Sequence, residues 1–286
     1  FRTIPYFNNE IPLGYDAGIY KYGIETFSRQ GFSSPNWVLG AFSPLFLYFM
    51  TLTSWFMSSQ FILTYLFIFF NIILGLSIYF LSKEYFGKIT GIISFLLYAL
   101  SLIQFKVFTL MYYKNVMALS LMLWALYFFK KEKRLWFIVF SVLTGAMHLP
   151  TFYILGLTYF IFSVYNYKRW KTNLINGLVI IILTLIFYVG FFNQAILPLI
   201  SPVAESFISP GNSPGTFVSF FTYQFSTLAY LPFAIIGFIY VKKSPRKPHT
   251  LVWGSSLIYS FQFWIILKTK GFYKPHLLRC GCPLFF

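Results

Sequence analysis

Between Gln60 and Ser82 the chain reads QFILTYLFIFFNIILGLSIYFLS, without one acidic or basic side chain. About 20 apolar residues of helix cross the hydrocarbon core of a bilayer, so this stretch reads as a transmembrane helix. Lys83-Glu84-Tyr85-Phe86-Gly87-Lys88 closes it, and the alternation of apolar run and short charged turn continues along the chain. Of the 286 residues 58% are hydrophobic and only 10% are charged, against about 25% charge in an ordinary soluble domain. The fold expected is an all-α polytopic membrane protein.

Working outward, Ile89–Phe105 and Asn115–Phe129 are further spans, and the second runs into Lys130-Lys131-Glu132-Lys133-Arg134. The long apolar block Leu135–Tyr165 is interrupted at Gly145-Ala146-Met147-His148-Leu149-Pro150-Thr151 and closed by Lys168-Arg169-Trp170-Lys171. Leu174–Phe192, Phe217–Val241 and Thr250–Leu267 follow, with Lys242-Lys243-Ser244-Pro245-Arg246-Lys247 after the second of them. The loop 193–216 carries Glu205 but no Lys or Arg. Cytoplasmic loops hold the excess of Lys and Arg, and placing the four charged runs inside puts 13 of the 22 basic residues there. This parity requires two things. Leu39–Met57, broken by Pro44, must not cross fully, and Leu135–Tyr165 must be two short helices that turn at His148-Leu149-Pro150 on the outer side. One membrane domain over 1–286 is expected: an outer loop 1–37, membrane helices 38–267 and an outer basic segment 268–286.

A formal charge of +16 would point to nucleic acid in a soluble protein. Here the basic residues sit in turns between apolar runs and face anionic lipid instead, so no nucleic-acid partner is expected. The two cysteines, Cys280 and Cys282, supply no disulfide framework. Three histidines, His148, His249 and His276, do not make a metal site. No nucleophile elbow, zinc-hydrolase helix, phosphate loop or dinucleotide fingerprint occurs.

Three of the six acidic residues, Glu10, Asp16 and Glu25, lie in the first 35 positions, around Gly14-Tyr15-Asp16-Ala17-Gly18-Ile19-Tyr20. Carboxylates at a membrane edge are costly and mark sites, and these three are the candidate catalytic acids and bases. Lys268, Lys270, Lys274, His276 and Arg279 follow the last span on the side that should avoid positive charge; an anion such as a lipid-linked phosphate justifies such a cluster. His148 and Lys114 fall on the same side and join Lys274 and Arg279 as candidate phosphate contacts. Most of the Phe and Tyr is packing or lipid-facing, with Tyr15, Tyr20 and Trp37 the exceptions that could stack on a sugar.

Tyr15 to Tyr20, followed by Phe42-Ser43-Pro44-Leu45-Phe46-Leu47-Tyr48, resembles the GT-C glycosyltransferases, among them the protein mannosyltransferases and the lipid A aminoarabinose transferases. Tyr85-Phe86-Gly87, Tyr113-Lys114-Asn115 and the Gly145 to His148 break continue the likeness in order. The resemblance implies a GT-C helical bundle in the plasma membrane, with its active site on the outer face. It implies inverting transfer of a sugar from a polyprenyl-phosphate donor to a hydroxyl of a protein, lipid or glycan acceptor. Asp16 would be the general base, and His148 and Arg279 would steady the departing phosphate. A divalent metal is compatible with this chemistry but not implied. Ala17 stands where many relatives carry a second acidic residue, so either Glu10 or Glu25 substitutes or the chemistry runs on one carboxylate. By the same likeness the chain, from Phe1 to Cys280-Gly281-Cys282-Pro283-Leu284-Phe285-Phe286, is expected to be a fragment lacking a first helix and a C-terminal remainder. The rival reading is a transporter or flippase of polyprenyl-linked glycans. It predicts polar or broken helices along a midplane path, and the spans read as poor in such residues.

Overall fold

A computed structural model describes residues 17–101, 113–165 and 169–196. Among these residues there is no strand. The helices are α1 (Ala17–Gln30), α2 (Asn36–Ala41), α3 (Pro44–Ser54), α4 (Ser59–Phe86), α5 (Lys88–Leu100), α6 (Tyr113–Lys130), α7 (Arg134–Met147), α8 (Leu149–Tyr165) and α9 (Trp170–Phe187). The expected spans at 217–241 and 250–267 lie outside the described residues. Of the described helices, α4 and α9 are long and apolar enough to cross a membrane.

Both expected breaks are present, and proline explains each. Pro44 begins α3, where its missing N–H is no loss. It also drives Ser43 into extended backbone at ψ 147°, which separates α2 from α3. The 11 residues of α3 reach only about 16 Å at the helical rise, too short to cross. In the second block α7 stops at Met147, His148 is extended at φ −163°, and α8 begins at Leu149 with Pro150 in its first turn. Gly87 makes the α4–α5 turn at φ +98°, a conformation that favours glycine.

The opening segment departs from expectation. Residues 17–30, read as part of a loop, form α1. Its Tyr20, Gly23, Ile24 and Phe27 are buried and recur at the three- and four-residue spacing of one helical face. Lys21, Glu25 and Arg29 occupy the others, so no long apolar run betrays the helix. Tyr20 is a core residue, with its ring 5.3 to 5.4 Å from those of Phe42, Phe46 and Tyr113. Tyr113 in turn packs at 4.1 Å on Phe67 of α4. These rings join α1, the α2–α3 break, α4 and the start of α6.

The charged turns gather at one end of the bundle. Lys131, after α6, pairs with Glu84 at the end of α4 at 2.6 Å, and that hydrogen bond holds the Lys131 pKa above its usual range. Arg169, before α9, lies 3.6 Å from Glu132 in the α6–α7 turn. Three of the four basic runs therefore share one end; the fourth, 242–247, lies outside the described residues. Along α5 and α9 the surface is apolar, with Ile92, Ile93, Leu96 and Leu97 of α5 and Leu178, Ile181, Ile182 and Leu185 of α9 exposed.

At Gly91 of α5 a Cβ would stand 3.0 Å from the Tyr79 carbonyl oxygen and 3.2 Å from the Lys83 backbone nitrogen of α4. Backbone cannot give way as a side chain can. Gly91→Val is expected to wedge the α4–α5 hairpin apart and cost about 1–3 kcal/mol, read as a lower melting temperature of the purified protein.

Candidate functional site

The end opposite the charged turns is built from interrupted helices. Where α2 stops, its last carbonyls have no intrahelical donor. The Lys114 ammonium, at the second residue of α6, donates to the Ala41 carbonyl at 2.7 Å. It also lies 5.9 Å from the centre of the Phe42 ring. Where α7 stops, the Tyr188 hydroxyl donates to the Gly145 carbonyl at 3.0 Å. Tyr188 is 1% exposed. The α7–α8 break and the end of α9 thus meet on one phenol. Beyond it, the Gln194 amide donates to Asn36 Oδ1 at 3.3 Å and brings the segment after α9 onto α2.

His148 sits three residues past Gly145 in the same break, half-buried, with Nδ1 2.8 Å from the Thr151 hydroxyl. Glu25 lies on α1, half-buried, and its carboxylate accepts a 2.7 Å hydrogen bond from Ser59 at the start of α4. Tyr20, five residues earlier on α1, packs against Tyr113 beside Lys114. Trp37 stacks on Tyr22 with centroids 5.4 Å apart and planes 20° from parallel, each ring about half exposed. Of the expected sugar-stacking residues, Trp37 therefore presents an aromatic surface and Tyr20 does not.

Of the seven candidate site residues, Glu25, His148 and Lys114 are described. Lys114 bonds the end of α2, His148 lies in the α7–α8 break, and Glu25 lies on the α1–α4 contact. Asp16, Glu10, Lys274 and Arg279 lie outside the described residues, although Asp16 immediately precedes α1 in the chain. Among the described residues no three His, Cys, Asp or Glu side chains gather to hold a metal. An ammonium and an imidazole set between helix breaks can meet an anion, and a nearby carboxylate can accept a proton.

Two features escaped the sequence. A cavity of 340 Å³ is walled by Leu45 and Phe49 of α3, Phe70 of α4, Met117 and Trp124 of α6 and Phe140 of α7, with Ser120 a rare polar group in its lining. The expected shortage of polar residues in the spans is also corrected: Asn173, Asn176 and Thr184 of α9 are buried, as are Ser141 and Thr144 of α7. The signal was present as helical spacing, 173, 176 and 184, inside a run whose average hydropathy conceals it.

Tyr188→Phe removes the donor to the Gly145 carbonyl and keeps the ring. It is expected to cost about 1 kcal/mol, seen as a lower melting temperature, with Lys114→Ala costing a similar amount through the Ala41 carbonyl. Compared with known proteins, the chain matches no family model, no curated protein and no solved structure.

Proposed function

We propose that the chain is an integral membrane glycosyltransferase of the GT-C type, transferring a sugar from a polyprenyl-phosphate carrier to an acceptor hydroxyl. The observation that carries this reading is the polarity of the bundle. Three charged turns join at one end through Lys131–Glu84 and Arg169–Glu132, while the helix breaks with Lys114 and His148 lie at the other. Excess Lys and Arg faces the cytoplasm, so the interrupted end faces out, where polyprenyl-linked sugars are used by the enzymes this chain resembles. The apolar exterior supports a lipid surrounding, because a soluble protein rarely exposes so much contiguous hydrocarbon.

In the proposed reaction Asp16, at the entrance to α1, takes the proton of the acceptor hydroxyl, with Glu10 or Glu25 as the second carboxylate. The new carbon–oxygen bond forms at the anomeric carbon as its bond to the phosphate oxygen breaks on the opposite face. The configuration inverts and polyprenyl phosphate leaves. Lys114, His148, Lys274 and Arg279 offset the charge that develops on that phosphate, and the apolar cavity beside α3 accommodates isoprenoid chain. The buried polar residues of α7 and α9 favour a second reading, a flippase or transporter of the same glycan lipids.

The test is transfer of radiolabelled sugar from polyprenyl-phosphate donors by the protein in membranes, native against Asp16→Asn. Removing a general base is expected to slow transfer by about 10²–10⁴-fold while donor binding persists. Equal transfer by both forms would remove Asp16 from the mechanism. Donor binding with no transfer by either form would bring the flippase reading forward.

A further inference from the structure

The α9 sequence sets Asn173, Asn176, Ile180 and Thr184 on its buried face. Against it α7 brings Ser141, Thr144 and Gly145, all buried, and α8 brings Tyr159. The seam is pinned near both ends. Toward the charged end the Tyr159 hydroxyl donates to the Asn173 backbone carbonyl at 3.1 Å and lies 3.4 Å from its side-chain oxygen. Toward the other end Gly145 leaves room for Thr184, whose methyl group would lie 2.6 Å from a Cβ there, and its carbonyl accepts from Tyr188.

Between these points lie four polar atoms with no hydrogen-bond partner: Asn173 Nδ2, Asn176 Oδ1, Ser141 Oγ and Thr184 Oγ1. Their residues are 7%, 6%, 1% and 3% exposed, so bulk solvent does not reach them. Hydroxyls in these helices ordinarily satisfy themselves on the preceding turn, as Thr144 does on Phe140, Thr158 on Ile154 and Ser163 on Tyr159. Ser141 and Thr184 do not. Polar side chains that served only as glue between helices would bond one another, whereas these present an amide donor, an amide acceptor and two hydroxyls toward a third party. A small molecule that both donates and accepts is complementary to that set, and buried water, with its two to four bonds, is the smallest.

We infer that the α7–α8–α9 seam is a hydrated polar path, holding ordered water along about 16 Å of α9 between the Tyr159 and Tyr188 ends. The inference does not rest on the transfer reaction. Pulsed hydroxyl-radical footprinting of the whole protein in nanodiscs tests it, because radicals born from bound water oxidise the side chains beside it. Tyr159 and Tyr188, 9% and 1% exposed, are expected to oxidise several-fold faster than Tyr20, which is 4% exposed and enclosed by aromatic rings. Asn176→Leu is expected to slow Tyr159 while the exposed Tyr22 keeps its rate. Oxidation of Tyr159 and Tyr188 no faster than that of Tyr20 would show a dry seam and overturn the inference. Fast oxidation of Tyr159 that Asn176→Leu leaves unchanged would overturn it too, since the water would then lie elsewhere.

Discussion

A helix that stops in apolar surroundings exposes carbonyls that no water is at hand to take. The end of α7 is buried and the end of α2 is exposed, and each is answered by a side chain from far along the chain. Lys114 reaches the Ala41 carbonyl across 73 positions, and Tyr188 reaches Gly145 across 43. The Tyr188 bond is buried, where a hydrogen bond gains strength and its loss costs more. With both bonds in place α3 can leave at a new angle after Pro44, and α8 can start again after His148. The aromatic cluster of Tyr20, Phe42, Phe46, Tyr113 and Phe67 then closes over the first break. The interrupted end of the bundle is therefore a fixed surface, and that is what allows it to be read as a site.

The charged end obeys different physics. Its two ion pairs are exposed, and pairs of that kind contribute about 0–1 kcal/mol each. They do not hold the helices together; the packing of α4, α6 and α7 does that. Their meaning lies in where they place the basic turns, since the insertion preference follows the count of Lys and Arg at each end. Glu84 and Glu132 are each matched by Lys131 and Arg169, so the excess that remains on this face is wholly cationic.

Proline made the breaks legible in the sequence. Pro44 and Pro150 each interrupt an apolar run, and the structure stops a helix just before both. The uncharged core of α4 was equally plain. The start of α1 was not, because its buried face is four residues wide and its other faces carry charge, so its composition is that of a loop. Lys114, His148 and Glu25 stand out in the sequence as polar residues beside apolar runs, but their partners, Ala41, Thr151 and Ser59, do not. Those bonds depend on how distant segments dock, which no local pattern encodes. Tyr188 was hidden for the same reason, as one aromatic among many.

The hardest element to read was α9, and its inversion explains why. A helix in the core of a soluble protein buries its Leu and Ile and turns its Asn outward. Here the arrangement is reversed: Leu178, Ile181, Ile182 and Leu185 are exposed while Asn173, Asn176 and Thr184 face the protein. Only 22% of its most apolar stretch is buried. In water that arrangement would expose hydrocarbon and bury amides, a double cost. In lipid the outer face costs nothing, and the polar face needs only partners within the bundle. A hydropathy average registers the outer face and passes over the polar one. By length and composition α9 can cross a membrane, and its polar stripe is the face it turns to the protein.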